Sequence, residues 1–172
     1  MTVLVLDFTA FAWHRANHRV PFLWRFHAVH HSESNFDAST AFRFHIGELL
    51  ISLGVRLALV TVFGLSVIAL LFFELVYQFF NIMEHGNIRL PRRFESVLSG
   101  VLIVPALHRR HHSTDPRDQN SNFGVIFSVW DRFFGLYRSA APGPVGRVGL
   151  AELGERKLTV WELFAWPFRR DR

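Results

Sequence analysis

Glu48 to Met83 form a 36-residue stretch, ELLISLGVRLALVTVFGLSVIALLFFELVYQFFNIM, whose charges are Glu48, Arg56 and Glu74 alone. One crossing of a bilayer takes about 20 apolar residues. The length suits two helices, and Gly64 with Ser66 near the centre supplies the break between them. Histidine-rich strings flank the stretch, His27 to His31 before it and His85 after it. If they serve one site, the chain must return to the face it left, which requires an even number of crossings. The expectation is a helical hairpin. Arg56 and Glu74 are costly in lipid and should face the protein interior or the headgroup layer. They read as a structural pair, as snorkelling side chains, or as a contact for the polar part of a substrate.

Composition agrees with a membrane protein. Hydrophobic residues make up 50% of the chain, 19 of them phenylalanine, and the mean hydropathy is +0.19, which is rich for a soluble domain. The opening TVLVLDFTAFAW gives only about 18 Å of helix before the first histidine against a hydrocarbon core of ~30 Å, so it does not span alone. It lacks the basic start and cleavage site of a signal peptide. Lysine and arginine together number 19 against 14 acids, a balance that in principle recruits nucleic acid. Arg92, Arg93, Arg109 and Arg110 instead sit beside histidine strings and apolar segments, where positive-inside bias places a cytoplasmic face near lipid phosphates. The expected partner is the membrane, with no nucleic acid. The chain has no cysteine, which excludes iron-sulfur clusters and thiolate zinc sites and leaves the redox compartment unread.

The chain has ten histidines, and nine fall into short strings. HRANH sets His14 and His18 one helical turn apart. HAVHH holds His27, His30 and His31, and HRRHH repeats that spacing with His108, His111 and His112, while His85 stands in MEHGN. Residues at i, i+3 and i+4 share a helical face. A lone histidine on such a face is usually a hydrogen-bonded core residue, but clustering favours a metal. Imidazole suits iron, zinc, copper or nickel, and nine nitrogens exceed what one tetrahedral zinc can use, so two metals are the economical expectation. The plainer alternative is a titratable basic surface.

Other residues are candidates with open roles. His45, in FRFHIGE, is an additional ligand, a donor to one, or a structural residue. Asp7 lies two turns before His14 on the same helix face and could orient its ring, or serve as an ordinary helix-end charge. Arg43 and Glu48 are placed to pair locally. In STDPRDQNSNFG, the residues Asp115, Asp118, Asn120 and Asn122 are partners for the last histidine string or turn formers.

The order HxxxH, HxxHH, a lone histidine followed by asparagine, then HxxHH resembles the fatty acid hydroxylase superfamily, which includes the sterol desaturases. The likeness runs from Asp7 to Gly135 through WHRANH, LWRFHAVHHS, TAFRFH, HGNIRLP, VPALHRRHHS, NFG and WDRFFG. It implies an all-α integral membrane helical bundle with a cytoplasmic histidine-rich cap. That cap would hold two non-haem iron ions on His14, His18, His27, His30, His31, His85, His108, His111 and His112. It implies dioxygen as co-substrate and a lipid substrate (fatty acyl, sterol or carotenoid-like) that is hydroxylated or desaturated. With no GxGxxG or haem motif, electrons would come from a separate ferredoxin, rubredoxin or cytochrome donor. Asn87 matches the asparagine of the lone-histidine motif, as a holder of the His85 ring or of a metal-bound water, although helix termination explains it too.

Two positions depart from the family's pattern: Phe123 where tyrosine is frequent, and Leu136 where threonine is frequent. Both bear on substrate subclass. Asp131 and Arg132 are expected to brace the closing segment. The family-like domain covers 1–138. Residues 139–172 read as a Gly/Pro linker and an amphipathic C-terminal tail ending in the interfacial anchor WELFAWPFRRDR. Relatives carry further membrane helices upstream, so the chain reads as N-terminally short. One alternative is therefore a catalytically impaired relative acting as an assembly partner. Another is a zinc-dependent lipid hydrolase, which the lack of a box carrying its own carboxylate, as in HExxH, disfavours.

Overall fold

Pro21 divides the first histidine pair from the second. It fixes a helix-ready φ and gives up an N–H that a first turn leaves unpaired anyway. In the computed structural model, which describes residues 2–139 and 146–169, Thr2–Arg19 is helix α1 and Pro21–His31 is α2, with Val20 extended between them. The two pack against each other, so HRANH faces HAVHH.

The expected hairpin is present. α3 (Ile46–Phe63) is capped by His45, whose Nδ1 accepts from the Gly47 N–H, and it closes on Gly64 at φ 59°, a left-handed value that favours glycine. Ser66 then accepts from the Ala69 N–H to start α4 (Val67–His85). Both helices are long and apolar enough to cross a membrane, and only 11% and 17% of the respective windows are buried within the protein. Leu57, Phe63, Ile68 and Leu75 point outward. Such contiguous apolar exposure is what a lipid-facing surface requires. Inside the hairpin, Arg56 Nη1 donates to Glu74 Oε2 at 2.6 Å and its guanidinium lies over the Tyr77 ring. A structural pair is the arrangement observed.

The remaining helices are short: α5 (Arg92–Leu98), α6 (Pro105–His111), α7 (Pro116–Gln119), α8 (Val129–Phe133) and α9 (Val160–Ala165). Among the described residues there is no named strand, and the bridges Leu102–Phe127 and Ser113–Val148 are isolated. Pro105 starts α6 as Pro21 starts α2. α4 packs against α6 and against the 3₁₀ turn Ala38–Phe42, and α1 packs against α4, where Leu6 meets Phe73. The three box-bearing helices thus gather at the open end of the hairpin.

The segment after residue 145 is not a free tail. The Gly149 N–H donates to His112 O at 3.0 Å, and Leu150, Leu158 and Trp166 bury against Ala28 and Val29 of α2. Three apolar side chains with a helix flank to cover explain the return of the chain. Residues 140–145, the Gly/Pro core of the expected linker, lie outside the described residues, as do 170–172.

Candidate metal centre

The helical repeat divides each HxxHH box in two. On α2, His27 and His31 are one turn apart and join His14 and His18 of α1, while His30 points to a second group. On α6 the division is reversed. His108 and His112 join His30 and His85, and His111 crosses to the first group. The result is one cluster of His14, His18, His27, His31 and His111 and another of His30, His85, His108 and His112, with the offered nitrogens of each lying within 4.8 Å of one another. The clusters adjoin where the His31 and His112 rings stack at a centroid distance of 4.2 Å.

Ring orientation is fixed from behind. His14 Nδ1 donates to Phe123 O at 2.9 Å, His111 Nδ1 to Ser121 O at 2.8 Å and His85 Nδ1 to Asn81 O at 2.6 Å. A carbonyl oxygen only accepts, so each of these rings carries its proton on Nδ1 and keeps a lone pair on Nε2. His27 Nδ1 donates to Glu48 Oε1 at 2.8 Å, and the same oxygen accepts from Asn17 Nδ2 at 3.0 Å. In the first cluster, Nε2 of His14, His18, His27, His31 and His111 is buried with no hydrogen-bond partner among the described residues. In the second, His85 Nε2 lies 3.1 Å from His30 Nε2 and 3.0 Å from His108 Nε2, which is 3.2 Å from His112 Nε2.

Converging lone pairs repel unless a cation sits among them, and buried polar atoms are rarely left unpaired. The donor set therefore fits metal ions, one per cluster. Protonation also favours this reading. Burial, then the neighbouring imidazoles, hold His14, His18, His30, His31, His108 and His112 well below the ordinary histidine value, and burial holds His111 at about 3. Neutral imidazole is the form that ligates.

The other candidates lie elsewhere. Asp7 Oδ2 accepts from Trp130 Nε1 at 2.6 Å, tying α1 to α8 instead of orienting His14, and burial raises its carboxyl to about 6. His45 is outside both clusters: besides capping α3, its Nε2 donates to Phe164 O at 3.2 Å. Asn87 is exposed and its Oδ1 accepts from Arg109 Nη2. Asp118 pairs with Arg110 and Arg138, and Asp115 caps α7. Asn120 donates to Pro116 O. Asn122, at φ 55°, donates to Leu107 O and Arg138 O, bracing α6 without touching a ring. Asp131 does brace the closing segment, accepting from the Phe123 and Gly124 N–H groups, and Arg132 donates to Ser99 O. Phe123, one of the two departures from the family pattern, packs its ring against His14, His18 and His111.

Sequence reasoning missed Glu48, Asn17 and Glu84. The expected Arg43–Glu48 pair does not form, because Arg43 donates to Glu33 and Ser32 while Glu48 turns to His27. The available signal was an acid at the very start of an apolar helix, where it must find a buried donor or be lost to water. The Phe123 and Ser121 carbonyls left no signal in side-chain chemistry.

A hairpin of two helices long and apolar enough to cross a membrane, with nine histidines at its open end in two nitrogen-only clusters that could hold metal, defines the class: an all-α, membrane-type fold with a histidine site. The chain belongs to the fatty acid hydroxylase family, whose model matches residues 1–136. It is 27% identical over 137 residues to the ornithine lipid hydroxylase OlsE of Rhizobium tropici, covering 80% of this chain and 40% of that protein. It is 31% identical over 138 residues to the alkylglycerol monooxygenase of Xenopus tropicalis, 80% of this chain and 30% of that one. It is 30% identical over 145 residues to human cholesterol 25-hydroxylase, 81% and 50%. The chain thus spans half or less of the length of each of these relatives. No solved structure matches it significantly.

Proposed function

We propose that this chain is the metal-binding core of a membrane lipid hydroxylase with a two-iron centre. The observation that carries the reading is the sorting of nine histidines into two adjoining clusters whose ring nitrogens converge. In the net reaction a lipid C–H becomes C–OH, the second oxygen atom of dioxygen leaves as water, and two electrons and two protons enter. The electrons come from a separate donor of ferredoxin, rubredoxin or cytochrome type. Bound there, paired iron would supply dioxygen activation and the oxidising power to attack an unactivated carbon.

The chain's own residues do the rest. The Phe123, Ser121 and Asn81 carbonyls and Glu48 hold four rings in the tautomer that ligates through Nε2. Phe36, Phe44 and Phe123 stack on or edge against the rings and keep bulk water from the site. A narrow cleft between α1, α3 and α4 is lined by Leu6, Ala10, Trp13 and Phe73 together with the Arg56–Glu74 pair and Tyr77. Arg92, Arg93, Arg109 and Arg110 favour a cytoplasmic location for the histidine end.

Metal analysis of the detergent-purified chain tests the centre: two irons per chain support it, one zinc favours a hydrolase, and none favours an inactive relative. Lipid profiles of cells expressing wild type and His108→Ala test the activity. Identical profiles with wild type well expressed count against it.

A further inference from the structure

We propose that Glu84 is a positioning residue for the second cluster, accepting a hydrogen bond from His108 Nδ1 once metal is bound, as Glu48 does for His27 in the first. The inference rests on the two-metal reading above. Glu84 is fully buried, and neither of its oxygens has a hydrogen-bond partner among the described residues. An isolated buried carboxylate is among the costliest groups a fold can keep. Its nearest charged or chargeable partner is His108 Nδ1, 3.7 Å from Oε2, and that nitrogen is also buried and unpaired. The other face of the same ring, Nε2, points into the cluster toward His85 and His112.

The first cluster shows what a closed version looks like. Glu48, in the first turn of α3, sits 2.8 Å from His27 Nδ1, and the opposite nitrogen of that ring is free. Glu84 occupies the corresponding place on the other strand of the hairpin, in the last turn of α4. Each spanning helix therefore delivers one carboxylate to the back of one ring in one cluster. A metal on Nε2 withdraws charge from the ring and makes Nδ1–H a stronger donor, which draws the 3.7 Å gap toward hydrogen-bond length. The carboxylate also offsets part of the cation's charge in a site whose ligands are all neutral.

The test uses the full chain in detergent, stripped of metal and titrated with Co(II), with ions per chain, the Co(II) absorption spectrum and the thermal stability of the stripped protein as readouts. Wild type should bind two ions. Glu84→Gln and Glu84→Leu should each weaken one of the two by roughly 10- to 100-fold while leaving the other unchanged, and Glu48→Gln should weaken the other one. The stripped Glu84→Leu protein should melt at or above wild type, because a buried carboxyl without a hydrogen-bond partner has been removed. That combination separates positioning from a general structural role. Two ions held at wild-type affinity in both Glu84 variants would overturn the proposal and leave the two-metal reading standing. A wild type that binds fewer than two overturns both.

Discussion

Glu48 Oε1 accepts from His27 Nδ1 at 2.8 Å, so the first turn of a membrane-spanning helix holds the ring of a histidine two elements earlier in the chain. Asn17 of α1 donates to the same oxygen at 3.0 Å. One buried atom therefore joins α1, α2 and α3 at the point where the first cluster forms. Glu48→Ala strands two buried donors at once. It should cost about 3 kcal/mol of stability, since hydrogen bonds to charged groups are worth ~1.5–3 kcal/mol each. Asn17→Ala, which removes a donor and keeps the ring's partner, should cost less and leave metal retention closer to wild type. Denaturant unfolding in detergent, read beside metal content, checks the order. Equal losses from the two substitutions would mean that Glu48 acts on packing alone.

Acid should dismantle the centre in a defined window. The folded state holds His14, His18, His30, His31, His108 and His112 neutral, with values well below 6.5, and His111 at about 3. In the unfolded chain these rings take up protons near pH 6.5. Because the folded values are depressed, the stability is fully present above pH 6.5 and is lost as pH falls below it. Asp7 and Asp131 act in the opposite sense. Burial raises both from 3.8 to about 6, so their contribution is full below pH 3.8 and fades as pH rises through 6. Seven rings outweigh two carboxyls. The metal-free protein should lose several kcal/mol between pH 6.5 and 5, since a tenfold difference in proton affinity between folded and unfolded chain is worth ~1.4 kcal/mol for each ring, and metal should be released over the same range. Melting temperatures at pH 7.5, 6 and 5 decide the matter, and a flat or rising series would refute the balance drawn here.

The sequence exposed the fold because its signals are local. A 36-residue apolar run with Gly64 and Ser66 at its middle, Pro21 at a helix start, and i, i+4 histidines each follow from spacing along one helix. The allotment of histidines between clusters was hidden, because it depends on how α2 and α6 are turned toward each other. Asp7 shows the limit most clearly. Its spacing from His14 suggested a partner seven residues away, and the actual partner, Trp130, is 123 residues distant. Composition read residues 139–172 as a Gly/Pro linker and an amphipathic tail, whereas the burial of Leu150, Leu158 and Trp166 depends on the flank of α2 that they cover, at Ala28 and Val29.

The Arg56–Glu74 pair offers a way to separate structure from substrate recognition. The two groups meet at 2.6 Å, each about a third exposed within the protein, in the midst of the spanning helices. Removing either partner leaves a single charge facing apolar surroundings. Arg56→Leu and Glu74→Leu should therefore each lower the melting temperature, while the double variant should recover most of the loss. A structural pair predicts that the double variant also recovers wild-type product in the lipid profile. A stable double variant without product would assign the pair to the lipid's polar end.

The depth of α9 follows from a hydrogen bond at the head of α3. His45 caps α3 through Nδ1 and donates through Nε2 to Phe164 O at 3.2 Å, which fixes α9 at the level where the spanning helix begins. Trp166 is buried on α2, but Trp161, Phe164 and Phe168 are 81%, 50% and 70% exposed, and Ile46, Leu49 and Leu50 in the first turns of α3 face outward as well. Aromatic rings at that level belong in the bilayer interface. In nanodiscs, the fluorescence component that Trp161→Phe removes should be quenched by lipids brominated near the headgroup end of the acyl chain and spared by aqueous iodide. The reverse pattern would place α9 in water and reduce the role of residues 146–169 to covering α2.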